Sequence, residues 1–106
     1  MDYLVNSKGK RRFIVNQDRE WIKPLTTNIY TTTLFRQEED GELIPWSIDI
    51  NMSIDDYTVV LGTFDNIAQA IQEINNILAS DDEVYMVNGY EEWSSIVEEL
   101  ADLFDN

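Results

Sequence analysis

Glu91, Glu92, Glu98, Glu99, Asp102 and Asp105 all fall off an apolar stripe formed by Trp93, Ile96, Val97, Leu100, Leu103 and Phe104. That spacing predicts a helix starting after an Asn88 cap, with an acidic ridge down one side. Such a helix runs roughly 24 Å at 1.5 Å per residue, a length over which one nucleic-acid strand presents about seven phosphates. Six carboxylates approximate that charge density. A groove lined with Lys and Arg releases its counterions to carboxylates as it does to phosphates, so the chemistry expected here is phosphate mimicry. The alternative is a solvated helix face. Against it, Asp102 and Asp105 sit at the negative end of the helix dipole, and no lysine at i+4 relieves the repulsion.

A second acidic cluster, Glu38, Glu39, Asp40 and Glu42, falls at a predicted hairpin tip, and a third, Asp81, Asp82 and Glu83, between a helix and a strand. Neither has the ligand spacing and central glycine of an EF-hand loop, so both are expected as solvated turns, with no metal and no cofactor. The isolated glycines at 9, 41, 62 and 89 form no phosphate-cradling loop. The chain has no histidine and no cysteine. This excludes Ser-His-Asp and Cys-His nucleophile arrangements, disulfides, and every site built on His or Cys ligands. Carboxylate, Lys, Tyr, Ser and Thr chemistry remains, and no constellation of these types stands out, so no catalytic residues and no enzymatic activity are expected.

Charge is divided along the chain. Residues 1–36 contain all seven basic side chains and three carboxylates, whereas residues 37–106 contain the other eighteen carboxylates and no base, for a net charge of −14. Solubility of a small domain needs a magnitude of only about 2–8. The surplus costs stability by self-repulsion and points to an acidic surface in use. Lys8, Lys10, Arg11 and Arg12 with Phe13 form a basic cluster. It either contacts RNA or pairs with acidic elements of this chain or of a second copy, and the net charge argues against direct binding of duplex DNA. Trp21, Trp46 and Trp93 are expected in the core, with an exposed interface anchor as the alternative for Trp21, between Arg19 and Lys23.

The elements that must position these groups fit one domain spanning residues 1–106. Tyr3–Val5 and Phe13–Val15 read as a hairpin, and Asn28–Phe35 as a strand rich in β-branched and aromatic residues. Ile44, Trp46, Ile48, Ile50 and Met52 alternate with polar residues, and Pro45 requires an edge or a bulge. Tyr57–Leu61 is apolar on both faces, as a central strand would be. Asp65 is placed to cap a helix with an apolar stripe at Ile67, Ala70, Ile71, Ile74, Ile77 and Leu78, and Val84–Val87 makes a last short strand. The fold class is α+β, a mainly antiparallel sheet of about five to six strands with two helices, in the order β-β-β-β-β-α-β-α. The start of the chain lacks the basic and apolar pattern of a signal peptide, and no run is apolar enough to span a bilayer, so a cytoplasmic location without membrane association is expected.

Tyr57-Thr58-Val59-Val60-Leu61-Gly62-Thr63-Phe64-Asp65, followed by a helix carrying Ala68, Ile71 and Ile74, resembles a pattern of small proteins from Gram-positive prophages and mobile elements. In size, acidity and lack of a catalytic constellation the chain also resembles anti-CRISPR proteins, the phage inhibitors of CRISPR effector nucleases. The resemblance implies a cytoplasmic inhibitor acting in a bacterial host, with the basic groove of a nucleic-acid-handling protein as partner. The competing expectation is a self-associating accessory protein, a homo-oligomer in which the basic hairpin docks on another copy's acidic face.

Overall fold

The computed structural model describes residues 3–89. Six strands and one helix follow in the order β1 (Phe13–Val15), β2 (Ile22–Pro24), β3 (Ile29–Gln37), β4 (Leu43–Ile54), β5 (Tyr57–Phe64), α1 (Ile67–Ala79) and β6 (Val84–Met86). The α+β class and the predominance of antiparallel pairing agree with expectation. The strands form two three-stranded sheets rather than one, ordered β2-β1-β6 and β3-β4-β5, and β1 pairs with β6 in parallel. The described residues contain one helix instead of two, because the second expected helix lies outside them.

Five strands precede α1, as expected, and four of them are those read in the sequence, while β2 takes the place of the expected Tyr3–Val5 strand. Tyr3 and Val5 form only isolated bridges, to Thr26 and Arg11, while Ile22–Pro24 pairs antiparallel with β1. Asn16 makes that second hairpin. Its buried side-chain carbonyl accepts from the amides of Glu20 and Trp21, at 2.8 and 3.1 Å, and so turns the chain without a Gly-rich signal.

β4 is the spine of the larger sheet. Ile48, Ile50, Met52 and Ile54 are buried along it, packing with Leu61 and Phe64 of β5, Ala70 and Ile77 of α1, and Ile14, Leu25 and Val87 around the smaller sheet. β5 is an edge strand, not a central one. The register of β4 with β5 slips between Ile50 and Asn51, so Leu61 is the extra residue of a bulge and turns inward beside Gly62. This bulge is why Tyr57–Leu61 reads as apolar on both sides, while Tyr57 and Val60 remain exposed. Gly62 leaves the space that the Gln17 side chain fills. A Cβ there would stand 3.0 Å from Gln17 Cβ. The Gln17 amide joins the two sheets, donating to the carbonyls of Thr63 and Asn88 and accepting from the Thr63 amide.

Asn66, not Asp65, caps α1. Its side chain accepts from the Gln69 amide at 2.9 Å, and Gln69 Oε1 accepts in return from the Asp65 amide. The buried face of the helix runs through Ala70, Glu73 and Ile77, with Ile74 half-buried. Ile67, Ile71 and Leu78 lie on the flank of the expected stripe and stay exposed, because the stripe is wider than the contact with β4 and β5. No helix among the described residues is long and apolar enough to cross a membrane.

Candidate functional site

β3 and β4 continue past the rest of their sheet. β5 ends at Phe64, opposite Ile48, yet the β3–β4 ladder goes on through Leu34↔Ser47, Phe35↔Pro45, Arg36↔Ile44 and Gln37↔Leu43. The result is a two-stranded arm of four pairs, roughly 14 Å long at about 3.4 Å per residue. The register shifts between Leu34 and Phe35, making Trp46 the extra residue of a bulge where the imino acid Pro45 has no amide to offer the ladder. The bulge interrupts the alternation of β4, and Trp46 turns out to solvent, 61% exposed, instead of joining the core.

The shaft of this arm is apolar on both faces. Leu34, Phe35, Leu43, Ile44 and Trp46 are all exposed. Arg36 sits over the Trp46 ring, 4.8 Å from its centroid, and its Nη2 donates to Glu38 Oε1 at 2.6 Å. At the tip, the Glu38 amide donates to the Glu42 carbonyl, the Gly41 amide donates to the Glu38 carbonyl, and Asp40 Oδ1 accepts from the Glu42 amide. Gly41 has φ +84°, a conformation that other residues adopt only with strain, and it closes the turn. Glu38, Glu39, Asp40 and Glu42 are thereby gathered on one loop, with Arg36 as the single cation beside them. The sequence placed these four carboxylates correctly at a hairpin tip. It did not show the exposed aromatic shaft beneath them, because the bulge at Trp46 breaks the period-two pattern that the core reading followed.

Part of the basic cluster is engaged within the chain, while Lys8 is exposed and makes no ion pair among the described residues. Arg12 is buried, donating from Nε to the Asp82 carbonyl and from Nη1 to the Ile77 carbonyl at the end of α1. Its Nη2 is buried without a hydrogen-bond partner among the described residues. Lys10 pairs with Glu83 at 3.5 Å, and Ser7 donates from its amide and hydroxyl to the two oxygens of Asp81, at 2.7 and 2.6 Å. Those two donors hold the Asp81 carboxyl below its ordinary range. Asn6, Lys8, Lys10, Asp81, Asp82 and Glu83 line a shallow cleft of about 440 Å³ between the two segments. Arg11 lies over the Tyr3 ring at 4.2 Å. Trp21 is half-buried against the core, with Lys23 5.4 Å from its ring, and so is not a free anchor. Glu91, Glu92, Glu98, Glu99, Asp102 and Asp105 lie outside the described residues.

A buried carboxylate escaped the sequence reading. Glu73 is fully buried and accepts from the Tyr85 hydroxyl at 2.8 Å, from the Asn88 amide at 2.5 Å, and from the side-chain amides of Asn88 and Asn76. The signal was its spacing, three residues after Ala70 and four before Ile77, in the middle of the inward face. No group of three or more acidic side chains among the described residues is placed to hold a metal ion. No protein-family model, curated protein or solved structure matches the chain.

Proposed function

We propose that this chain is a non-catalytic binding protein that inserts its β3–β4 arm into a basic, nucleic-acid-binding groove of another protein and so blocks that groove. The observation supporting this reading is the arm itself: four carboxylates on a turn at the end of an exposed ribbon whose shaft carries Phe35, Arg36 and Trp46. The carboxylates replace phosphates against Lys and Arg of the groove. The shaft speaks for a protein partner, because aromatic and Arg side chains are the residue types that anchor protein interfaces.

The resemblance to anti-CRISPR proteins makes CRISPR effector nucleases the first target class. The test is capture of purified effectors, with and without guide RNA, on the immobilised chain at low and high salt. The proposal predicts retention of the guide-free form and its release by guide RNA or by high salt. Retention that neither guide RNA nor salt disturbs would overturn groove competition. Failure to retain any effector would remove this target class.

A further inference from the structure

We infer that β3 is a homodimerisation strand that pairs antiparallel with β3 of a second copy about a two-fold axis at Thr33. This inference does not rest on the groove-binding reading.

Strand order leaves β3 at the sheet edge, with no described strand on its outer side. Its backbone parity follows from one hydrogen bond: the Ser53 amide donates to the Asn28 carbonyl, so even-numbered residues face β4. Thr31, Thr33, Phe35 and Gln37 therefore turn both backbone groups outward, and Ile29 turns its carbonyl outward while its amide donates to the Thr27 carbonyl at 3.0 Å. Edge strands of this kind are normally blunted by charge, proline, a bulge or short length. None of these protects β3. It is nine residues long, the extra residue of the nearby bulge belongs to β4, and the first seven residues, Ile29 to Phe35, carry no charge in a chain of net charge −14. A segment of six or seven residues with high β-propensity, no charge, no proline and no glycine is the type that pairs with its own copies.

The strand is also self-complementary. Centring the axis on Thr33 sets Thr33 against Thr33 of the other copy, Thr31 against Phe35, Ile29 against Gln37, and Tyr30 against Arg36. The first three pairs join outward-facing residues to outward-facing residues, as ladder hydrogen bonds require, with the Ile29–Gln37 pair made through the Ile29 carbonyl alone because its amide bonds Thr27. The fourth sets a cation against an aromatic ring. Antiparallel pairing sends the two acidic tips to opposite ends of the joint strand, roughly 45 Å apart and well beyond the Debye length of about 10 Å in 0.1 M salt. Each tip comes to lie beside Asn28 and Thr27 of the other copy, both uncharged and exposed. The second copy also supplies what the arm lacks. A two-stranded ribbon is marginal in water, and Ile29–Thr32 of one protomer becomes the third strand beside Leu34–Gln37 of the other.

Three variants test the pairing by sedimentation and oxidation. Wild type is expected at twice the 12.4 kDa chain mass at tens of micromolar in 0.5 M salt, where the repulsion of like-charged copies is screened. Thr33→Pro removes an amide that faces away from β4, so it should leave the circular dichroism unchanged and weaken dimerisation more than tenfold. Phe35→Lys, at an exposed site, should do the same. Because the chain has no cysteine, Thr33→Cys introduces one thiol per copy at the axis, where Cα atoms about 5.5 Å apart fall within disulfide reach. Oxidation should join it into covalent dimers at least tenfold faster than Gln72→Cys on the exposed side of α1. A wild type that stays monomeric in 0.5 M salt, or folded Thr33→Pro and Phe35→Lys variants that dimerise as wild type does, would overturn the inference.

Discussion

Glu73 shows how much a single residue holds together here. Its carboxylate lies at the centre of the helix's inward face and ties α1 to the end of β6 through Tyr85 and Asn88. All four contacts donate to it, and a glutamine would present an NH2 group to one of those donors. Glu73→Gln should therefore lower stability by about 2–3 kcal/mol in urea unfolding, from leaving a buried polar group unmatched. Tyr85 is perturbed by the same network: burial first, and then its hydrogen bond to Glu73, raise the phenol far above its ordinary value. In the unfolded chain that phenol ionises near pH 10, while in the folded chain it stays protonated. Its contribution is thus intact below about pH 10 and declines above it, at up to about 1.4 kcal/mol per pH unit. Tyr85→Phe should flatten this alkaline limb in denaturation measured from pH 9 to 12. The inward positions of both Glu73 and Arg12 were readable: Glu73 shares the spacing of Ala70 and Ile77, and Arg12 shares the parity of Ile14 and Asn16, all buried. Their charge argues the other way, because charged side chains are almost never fully buried unless paired, and pairing is a tertiary property.

Among the elements, β4 shows both what periodicity reveals and where it stops. Ile48, Ile50 and Met52 alternate in sequence and are buried in the fold. Ile44 and Trp46 continue the same alternation in sequence but stand exposed, because a bulge changes the pairing and the rest of the sheet ends beneath them. The two halves of one strand therefore respond differently to truncation. Ile50→Ala should cost about 2–5 kcal/mol, as loss of a buried branched side chain does. Trp46→Ala should change folding stability by under about 1 kcal/mol while weakening partner binding, a separation that chemical denaturation and binding measured on the same samples would show. Similar reasoning explains β2, which has only three residues and no alternation to announce it. It exists because the Asn16 side chain turns the chain back onto β1. The β4–β5 and β3–β4 hairpins, in contrast, were legible from their Asp-Asp and Glu-Asp-Gly turns.

At the scale of the whole molecule, charge division is the property most visible in the sequence, and the fold uses its two parts differently. The basic segment is partly engaged internally, through Lys10–Glu83, Ser7–Asp81 and the Arg12 contacts to backbone carbonyls beside α1 and Asp82, while Lys8 stays exposed. The hairpin tip holds its carboxylates out on an exposed arm. Docking of the basic hairpin through Lys10 onto a second copy would compete with the Lys10–Glu83 pair, whereas the uncharged β3 edge has no described strand to give up. The two interactions then respond to salt with opposite signs. Screening weakens an acidic arm in a basic groove and strengthens pairing between two copies that each carry a net charge of −14. Raising salt from 0.1 to 1 M should also raise the thermal midpoint, since it relieves self-repulsion within each copy, and a scanning calorimetry series checks this.

The most direct test of the arm as a groove-binding element is displacement of a labelled guide RNA from a CRISPR effector that the chain captures. Wild type would be compared with a variant carrying Glu38→Gln, Glu39→Gln, Asp40→Asn and Glu42→Gln together. All four side chains lie on an exposed turn whose backbone hydrogen bonds are retained, so the variant should fold. Groove binding by the arm predicts displacement by wild type and at least a tenfold loss of potency in the variant. Equal potency of the two proteins would contradict it.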